Sequence, residues 1–263
     1  MEPVQASALT KPSGSQAIDR AAELLRQVVD ATRPVTFSEL AESSGLAKST
    51  ASRILNALER NGLLRRNANG AFLPGDAFVR YALRGNTETD LASIAFPHLK
   101  RLSEMSKETI NLGVLRHAMV SQIAQVDSHY VLGGTNWLGR TEPLHCTALG
   151  KVLLAFGAAE LPEGHLESLT PHTITSRGEL DEELKRIRRR GYAVAAEELE
   201  LGLIAVAAPV RRDDGTVIAA LSISGPTTRF STTHVHEVGA QCVTESDALS
   251  SALGYRQKRK GAA

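Results

Sequence analysis

Six polar residues between Lys48 and Asn56 have the side chains that proteins use to contact nucleic acid. They comprise two cations, three hydroxyls and one amide: Lys48, Arg53, Ser49, Thr50, Ser52 and Asn56. Cations and amides form hydrogen bonds with base edges, and hydroxyls and cations bind phosphate oxygens. With a period of 3.6 residues, these side chains lie opposite the apolar positions Ile54, Leu55 and Leu58. The segment therefore predicts a helix whose polar face contacts DNA.

The residues before this helix predict a partner helix and a turn. Thr36 and Glu39 have the spacing of a capping box, in which each side chain bonds to the other residue's amide. Gly45 supplies the turn, because a glycine tolerates positive φ. The second helix is predicted to run from about residue 47 to residue 60 and to end at Gly62. Such helix pairs also occur in purely structural bundles, so the neighbouring segments decide whether the pair is a DNA-binding motif.

A predicted β-hairpin directly after the second helix supplies that context. Residues 63–64 and 71–73 predict two short strands joined by an Asn-Gly turn. Arg65 and Arg66 lie where the wing of a winged helix meets phosphate. Between Lys48 and Arg66 there are five cations and one acid, although the whole chain has a formal net charge of +1. Local positive charge of this kind is typical of a DNA-binding surface, and it predicts a winged helix-turn-helix.

The composition is that of a globular protein, with 263 residues, 42% hydrophobic and 22% charged. No run of 18 apolar residues occurs, so no membrane contact is expected. Cys146 and Cys242 lie far apart and form no CxxC motif, which favours a reducing cytoplasm. Histidine and cysteine spacings match no metal site, so neither a metal nor another cofactor is expected.

The chain is predicted to contain two domains with a linker between them. A helix precedes the helix-turn-helix, and its predicted apolar face consists of Ile18, Ala21, Leu24, Leu25, Val28 and Val29. Residues 85–90 are polar and predict a hinge. The predicted segments are a disordered leader at 1–14, a winged helix-turn-helix at 15–75, a linker helix and hinge at 76–90, a second domain at 91–255 and a basic tail at 256–263.

The second domain has the pattern of an α+β fold. Short β-branched segments predict an antiparallel sheet of five or six strands, flanked by amphipathic helices. The predicted strands are residues 109–116, 119–127, 192–198, 203–211 and 216–225, and the predicted helices are about 90–107, 146–156, 178–190 and 232–253. The apolar stripe predicted for the first of these helices is Leu91, Ile94, Ala95, Leu99 and Leu102.

Candidate nucleophiles in this domain form no coherent catalytic set. Cys146 follows His145, and Ser222 and Ser224 lie near the end of a strand, but no GxSxG motif occurs. A histidine adjacent in sequence does not place a base, since geometry decides. A small buried hydrophobic residue is therefore the preferred interpretation of Cys146.

The same domain has the elements of an anion site. Residues 143–150 place a helix N-terminus after a loop, and the free amides at such an end attract a carboxylate. Ser222 and Ser224 alternate on one strand and so face the same side. A satisfied serine pair and an ordinary helix cap are the alternative.

Four ordered segments resemble the IclR family of transcriptional regulators. They are SQAIDRAAELLRQV, FSELAESSGLAKSTASRILNALERNGLLRR, PLHCTALGKVLLAF and the stretch from RRRGYAVAAEE to ALSISGP, followed by Arg229. The resemblance implies a winged helix-turn-helix joined to a GAF/PAS-like effector-binding domain. It also implies a homodimer paired through the DNA-binding heads, often assembled into a homotetramer, and control by small organic acids or aromatic catabolites. Most members of the family repress.

The resemblance also implies an effector site. It places anion-binding amides at Ala148 and Leu149, directly after Thr147, and hydroxyls at Ser222 and Ser224.

Two positions depart from the family members that bind small oxoacids such as glyoxylate. Those members often have Asp where this chain has Ala195, and Cys where it has Ala205. Both changes remove a polar group and shorten the side chain, so we expect a roomier, more apolar pocket. The expected ligand is a carboxylate with an apolar or aromatic tail rather than glyoxylate. Trp137 and Leu138 are candidates to cover that tail, with ordinary core packing as the alternative for Trp137.

These observations predict a ligand-responsive transcriptional regulator, more often a repressor than an activator, that binds a near-palindromic DNA operator. Two alternatives remain at this point. One is an enzyme domain fused to a DNA-binding head. The other is a protein–protein interaction module that uses the winged helix as a scaffold.

Overall fold

The computed structural model describes residues 16–82, 87–130 and 135–256. The chain divides into two compact units, Met1–Thr87 and Glu88–Ala263. The leader predicted at 1–14, and the basic tail at 256–263 apart from its first residue, lie outside the described residues. Within the described residues, no helix is long and apolar enough to span a membrane.

The first unit is a three-helix core followed by a hairpin and a short helix. Its elements are α1 (Gln16–Val29), α2 (Phe37–Ser44), α3 (Lys48–Arg60), β1 (Leu64–Arg66), β2 (Phe72–Pro74) and α4 (Asp76–Ala82). Strands β1 and β2 pair antiparallel as the predicted wing. The core consists of apolar side chains from all three helices and the hairpin: Leu24, Val28, Leu40, Leu55, Leu58, Leu64 and Phe72.

The predicted caps and turn of the helix-turn-helix are present. The amide of Thr36 donates to the Glu39 carboxylate at 2.8 Å, and the amide of Glu39 donates to the Thr36 hydroxyl at 3.4 Å. Gly45 ends α2 with φ of 63°, a left-handed conformation that suits glycine. The sequence alone predicted these caps and this turn because capping and turn chemistry depend on residues that are close in the chain.

Several predicted boundaries in the first unit differ from the structure. Ile18 and Val29 are exposed rather than buried, because the core contacts only the Leu24 and Val28 stripe of α1. The wing strands begin one residue later than predicted, so Arg65 and Arg66 lie within β1.

The second unit is a six-stranded antiparallel sheet with helices on both faces. Its elements are α5 (Thr87–Ser106), β3 (Thr109–Arg116), β4 (Met119–Val126), β5 (Thr141–Glu142), α6 (Ala148–Ala155), α7 (Arg177–Arg190), β6 (Ala193–Ala196), β7 (Leu203–Arg211), β8 (Val217–Pro226), a 3₁₀ turn (Thr227–Arg229) and α8 (Thr232–Ala252). The strand order is β5-β4-β3-β8-β7-β6. The predicted α+β class is confirmed.

Two apolar clusters cover the two faces of this sheet. One face packs against α5 and α8 with large side chains such as Leu112, Val206 and Leu221. The other packs against α6 and α7, and its strands contribute small residues such as Ala207 and Ala220. Small side chains on this second face leave space between the sheet and α6.

Three expectations for the second unit need correction. The hinge predicted at 85–90 is partly helical, since α5 already begins at Thr87; residues 83–86 lie outside the described part. Ile94 is 43% exposed and is not part of the buried stripe of α5. Strand β5 was not predicted, because two residues are too short to show a period.

Candidate functional site

Helix α3 presents the polar face that was predicted to contact DNA. Lys48, Ser49 and Arg53 are exposed, and Thr50, Ser52 and Asn56 are half-buried. The residue before the helix is Ala47, whose methyl side chain cannot cap the first amides. An uncapped helix N-terminus beside a lysine is suited to bind a phosphate.

Three of these residues also border a groove beside α1. Thr50, Arg53 and Asn56 line it together with Ala17 and Arg20 of α1, and its empty volume is about 1240 Å³, which includes open solvent. Arg53 is therefore both an exposed residue of the polar face and a residue that lines this groove.

The wing arginines differ in how they are held. Arg66 donates to Glu59 at 3.0 Å and to the Asn56 side-chain oxygen at 2.9 Å, and its guanidinium lies 4.4 Å from the centroid of the Phe72 ring. Arg65 is exposed and donates to the carbonyl of Pro74 at 3.2 Å. Arg66 thus ties the wing to α3, whereas Arg65 has only this backbone contact among the described hydrogen bonds.

In the second unit, the register of the sheet brings the predicted effector residues together. Ser224 pairs with Ala205, which pairs in turn with Ala195 on the edge strand β6. Ser222 pairs with Asn111 of β3. These residues form two neighbouring rows on the sheet face that α6 covers.

Helix α6 begins directly over this face. The Thr147 hydroxyl accepts from the amide of Gly150 at 3.1 Å and donates to the carbonyl of Pro143 at 2.9 Å. Gly150 is required because a Cβ there would overlap the backbone of Leu144. The tight approach fixes the helix start, and the first two residues of the helix, Ala148 and Leu149, line a pocket.

The pocket lies between the start of α6 and the sheet, with an empty volume of about 440 Å³ that includes its opening to solvent. Its lining contains eight of the nine residues predicted for the effector site: Trp137, Thr147, Ala148, Leu149, Ala195, Ala205, Ser222 and Ser224. Leu138, the ninth, is 54% exposed and is not part of the lining. In the structure Trp137, rather than Leu138, borders the pocket.

Six lining residues were not predicted as effector residues: Asn111, Gln122, Glu142, Cys146, Leu199 and Leu203. Asn111 and Gln122 are polar residues inside β-branched strands and are almost completely buried. A polar residue among the apolar positions of a predicted strand was the signal that sequence analysis could have used. Glu142 and Leu199 lie outside long elements and carried no such signal.

The polar wall of the pocket is a connected hydrogen-bond network. Asn111 donates to Gln125 at 3.0 Å, the Trp137 amide donates to the same Gln125 oxygen at 2.8 Å, and the Ser224 hydroxyl donates to Asn111 at 3.4 Å. The network holds Trp137 against the pocket through its backbone.

Cys146 lines the pocket as a protonated thiol. Burial raises the pKa of the Cys146 thiol to about 12, and the nearby Glu198 carboxylate adds to the effect. A thiol in this state is a poor nucleophile. The interpretation of Cys146 as a small buried hydrophobic residue fits this environment.

An ion pair lies next to the pocket but outside its lining. Lys151, only 1% exposed, contacts the Glu198 carboxylate at 2.5 Å. Lys151 belongs to α6 and Glu198 to the segment that leads to Leu199 and Leu203. The pair therefore joins the helix start to the loop that forms one side of the pocket.

Comparison with known proteins identifies both units. Residues 17–68 match the family model described as the IclR helix-turn-helix domain, and residues 85–251 match the model described as the bacterial transcriptional regulator IclR C-terminal domain. The chain belongs to the IclR family. It is therefore a DNA-binding transcriptional regulator with an effector-binding domain.

Individual members of the IclR family cover nearly the whole chain. The transcriptional regulator KdgR of Dickeya chrysanthemi is 34% identical over 87% of this chain and 77% of its own length. The crystal structure of the repressor BlcR of Agobacterium tumefaciens has a TM-score of 0.70 at 27% identity, covering 94% of this chain and 100% of its own. An IclR homologue from Microbacterium hydrocarbonoxydans, solved with 4-hydroxybenzoate, has a TM-score of 0.54 at 25% identity and covers 90% of this chain and 100% of its own.

Proposed function

We propose that this IclR-family regulator is controlled by a small organic carboxylate with an apolar or aromatic tail. The pocket between α6 and the sheet carries the proposal. The amides of Ala148 and Leu149 form an anion-binding helix end, and the hydroxyls of Ser222 and Ser224 lie on the facing strand. The bound aromatic acid of the Microbacterium hydrocarbonoxydans homologue supports this ligand class.

The other walls of the pocket favour a tail of some size. Ala195 and Ala205 have short side chains on neighbouring strands, and Leu199, Leu203 and Trp137 add apolar surface. Apolar area removed from water contributes about 25 cal/mol per Å². A ligand with a hydrocarbon tail gains this term, which glyoxylate cannot.

We further propose that the protein binds a near-palindromic operator as a homodimer or homotetramer and acts as a repressor. A helix-turn-helix dimer places two recognition helices about one helical turn of DNA apart. The exposed cations and hydroxyls of α3 supply base contacts, and Arg65 and Arg66 supply phosphate contacts. The structural neighbour BlcR is a repressor, which supports repression rather than activation by this protein.

Calorimetric titration of the full chain tests the ligand class. The panel contains glyoxylate, pyruvate, hexanoate, benzoate and 4-hydroxybenzoate. We expect at least one acid with a five-carbon or aromatic tail to bind more tightly than glyoxylate, and Ser222→Ala to weaken its binding. Ser251→Ala on the exposed side of α8 is the matched control. Tightest binding of glyoxylate would overturn the proposal.

A further inference from the structure

The groove between α1 and α3 in the first unit is lined by cations. Among the described residues, its lining contains three arginines and no acid: Arg20 of α1, and Arg53 and Arg60 of α3. The other lining side chains are uncharged. This arginine groove is therefore a local positive site, although the whole chain has a formal net charge of +1.

The three arginines have no anionic partner in the described part of the chain, where none of their side chains forms a hydrogen bond or an ion pair. By contrast, Arg26 on the same helix as Arg20 forms ion pairs with Glu23 at 2.8 Å and with Asp30 at 3.1 Å. The groove thus contains like charges without a counter-charge. Such a cluster attracts an anion from outside the protein.

The spacing of the arginines suits a partner with several negative charges. Arg53 and Arg60 are seven residues apart on α3, which is about two helical turns and about 10 Å along the helix axis, so they lie on one face. Arg20 lines the groove from α1. One strand of DNA carries a charge about every 3.4 Å of its axis, so cations at this separation can contact different phosphates.

The groove adjoins the polar face of α3 that is proposed to contact DNA. Thr50, Arg53 and Asn56 belong to that face and also line the groove. On the same helix, Ala57 lines the groove and Glu59 accepts a hydrogen bond from the wing. Two residues of a helix differ by about 160° in direction, so the groove and the wing lie on opposite sides of the polar face.

We propose that the arginine groove binds the phosphate backbone of DNA, with Arg20 and Arg60 as phosphate-contacting residues. This inference rests on the proposed contact of α3 with DNA. It extends the DNA interface from α3 and the wing to α1, so that cations contact the backbone on both sides of the polar face. DNA on this face brings its backbone to the groove, because the two surfaces share residues.

Salt-dependent DNA binding by the full chain tests the inference. Fluorescence anisotropy is measured at several salt concentrations with an operator selected from a random library and with an unrelated duplex. Each phosphate contact contributes about 0.9 to the slope of log affinity against log salt. We expect Arg20→Gln and Arg60→Gln each to flatten the slope by up to this amount and to weaken both duplexes alike. The double variant should flatten it by up to about 1.8.

Two further variants separate a phosphate contact from a general loss of charge. Arg26→Gln removes the same charge from α1 outside the groove lining and should leave the slope unchanged. Arg20→Lys keeps the charge and should restore the slope of the parent protein. Thermal unfolding checks that each variant folds, and sedimentation velocity measures its oligomeric state. Arg60 is exposed, so Arg60→Gln tests the inference even if Arg20→Gln does not fold.

The outcomes separate the inference from the proposed contact of α3 with DNA. An unchanged slope in both glutamine variants of the groove, with Lys48→Gln still weakening binding, overturns the inference alone. If Lys48→Gln also leaves binding unchanged, the α3 contact and the inference are both overturned.

Two other results would show that the arginines act in another way. An equal change of slope in Arg26→Gln would mean that net charge, rather than the groove, determines the slope. Dissociation of the oligomer in the groove variants would mean that the groove contacts a second copy of the chain. Either result overturns the inference.

Discussion

At the scale of single residues, Arg66 is a proposed phosphate-contacting cation whose side chain is already held by other residues in the absence of DNA. Glu59 and Asn56 hold its guanidinium, and the Phe72 ring supports it. Part of its charge is therefore neutralised within the protein. A phosphate must compete with Glu59 for the Arg66 guanidinium. The Arg66–Glu59 ion pair is exposed to solvent and is therefore screened by salt.

Arg66→Ala should weaken binding to all DNA sequences alike. Each phosphate contact contributes about 0.9 to the slope of log affinity against log salt, so losing one flattens the slope by up to this amount. Fluorescence anisotropy with a selected operator and an unrelated duplex, at several salt concentrations, measures the slope. Arg189→Ala on the exposed face of α7 removes the same charge and should leave the slope unchanged. A loss confined to one base position would contradict the assignment.

At the scale of elements, two close contacts hold the start of α6 in place. Gly150 lies against the backbone of Leu144, and Thr147 caps the helix from the same loop. Both contacts position the amides of Ala148 and Leu149.

Gly150→Ala should therefore shift the helix start and abolish acid binding. The added methyl has no space, and overpacking of this kind costs about 1–3 kcal/mol of unfolding free energy. Calorimetric titration and thermal unfolding measure the two effects. Gly178→Ala in the first turn of α7 is the matched control, because its Cβ would meet only the Ser176 hydroxyl at 3.8 Å. An unchanged acid affinity in Gly150→Ala would show that α6 does not form the anion site.

The capping box of α2 gives the first unit a predictable response to acid. Hydrogen bonds from Arg33 and Thr36 lower the pKa of Glu39 from 4.5 to about 2. A depressed folded-state pKa stabilises the fold above the unfolded pKa, and the contribution is lost as pH falls from about 4.5 toward 2.

Glu39→Gln should remove this pH-dependent contribution. We expect the variant to have a lower Tm than the parent at pH 7, with the difference disappearing near pH 2. Calorimetry of the full chain across this range measures it. Glu42→Gln, on the same helix outside the box, is the control. A Tm difference that stays constant from pH 7 to pH 2 would contradict the role of the carboxylate.

At the scale of the whole molecule, regulation requires that effector binding and DNA binding affect each other. A ligand changes DNA affinity only if it binds the DNA-competent and DNA-incompetent states unequally. Thermodynamic linkage makes the effect reciprocal, so DNA must change effector affinity by the same factor.

The tightest-binding acid of the panel should therefore weaken operator binding, and operator DNA should weaken acid binding equally. Typical couplings are about 1–3 kcal/mol, or roughly 5- to 150-fold. Anisotropy with and without acid gives one factor, and calorimetry with and without operator gives the other. An acid that binds the pocket of the intact protein without changing operator affinity would refute its role as effector.

Local chemistry explains which parts of this protein were predictable. The capping box at Thr36 and Glu39 and the turn at Gly45 depend on near neighbours in the chain. Elements α3, β3 and β7 are long enough for their hydrophobic periodicity to be recognised in the sequence. The amphipathic pattern and the basic face of α3 therefore predicted the winged helix-turn-helix from residue types alone.

By contrast, the composition of the pocket depends on sheet register and on contacts between distant segments. Gln122 and Glu142 are separated by a loop, and their meeting requires the pairing of β4 with the two-residue strand β5. Leu138 is exposed although its neighbour Trp137 borders the pocket. The sequence by itself determined the α+β class and the helix-turn-helix, whereas the DNA-binding face and the anion site that it indicates stay predictions. Only the tertiary structure decided which buried polar groups share the pocket, because long-range strand pairing brings them together.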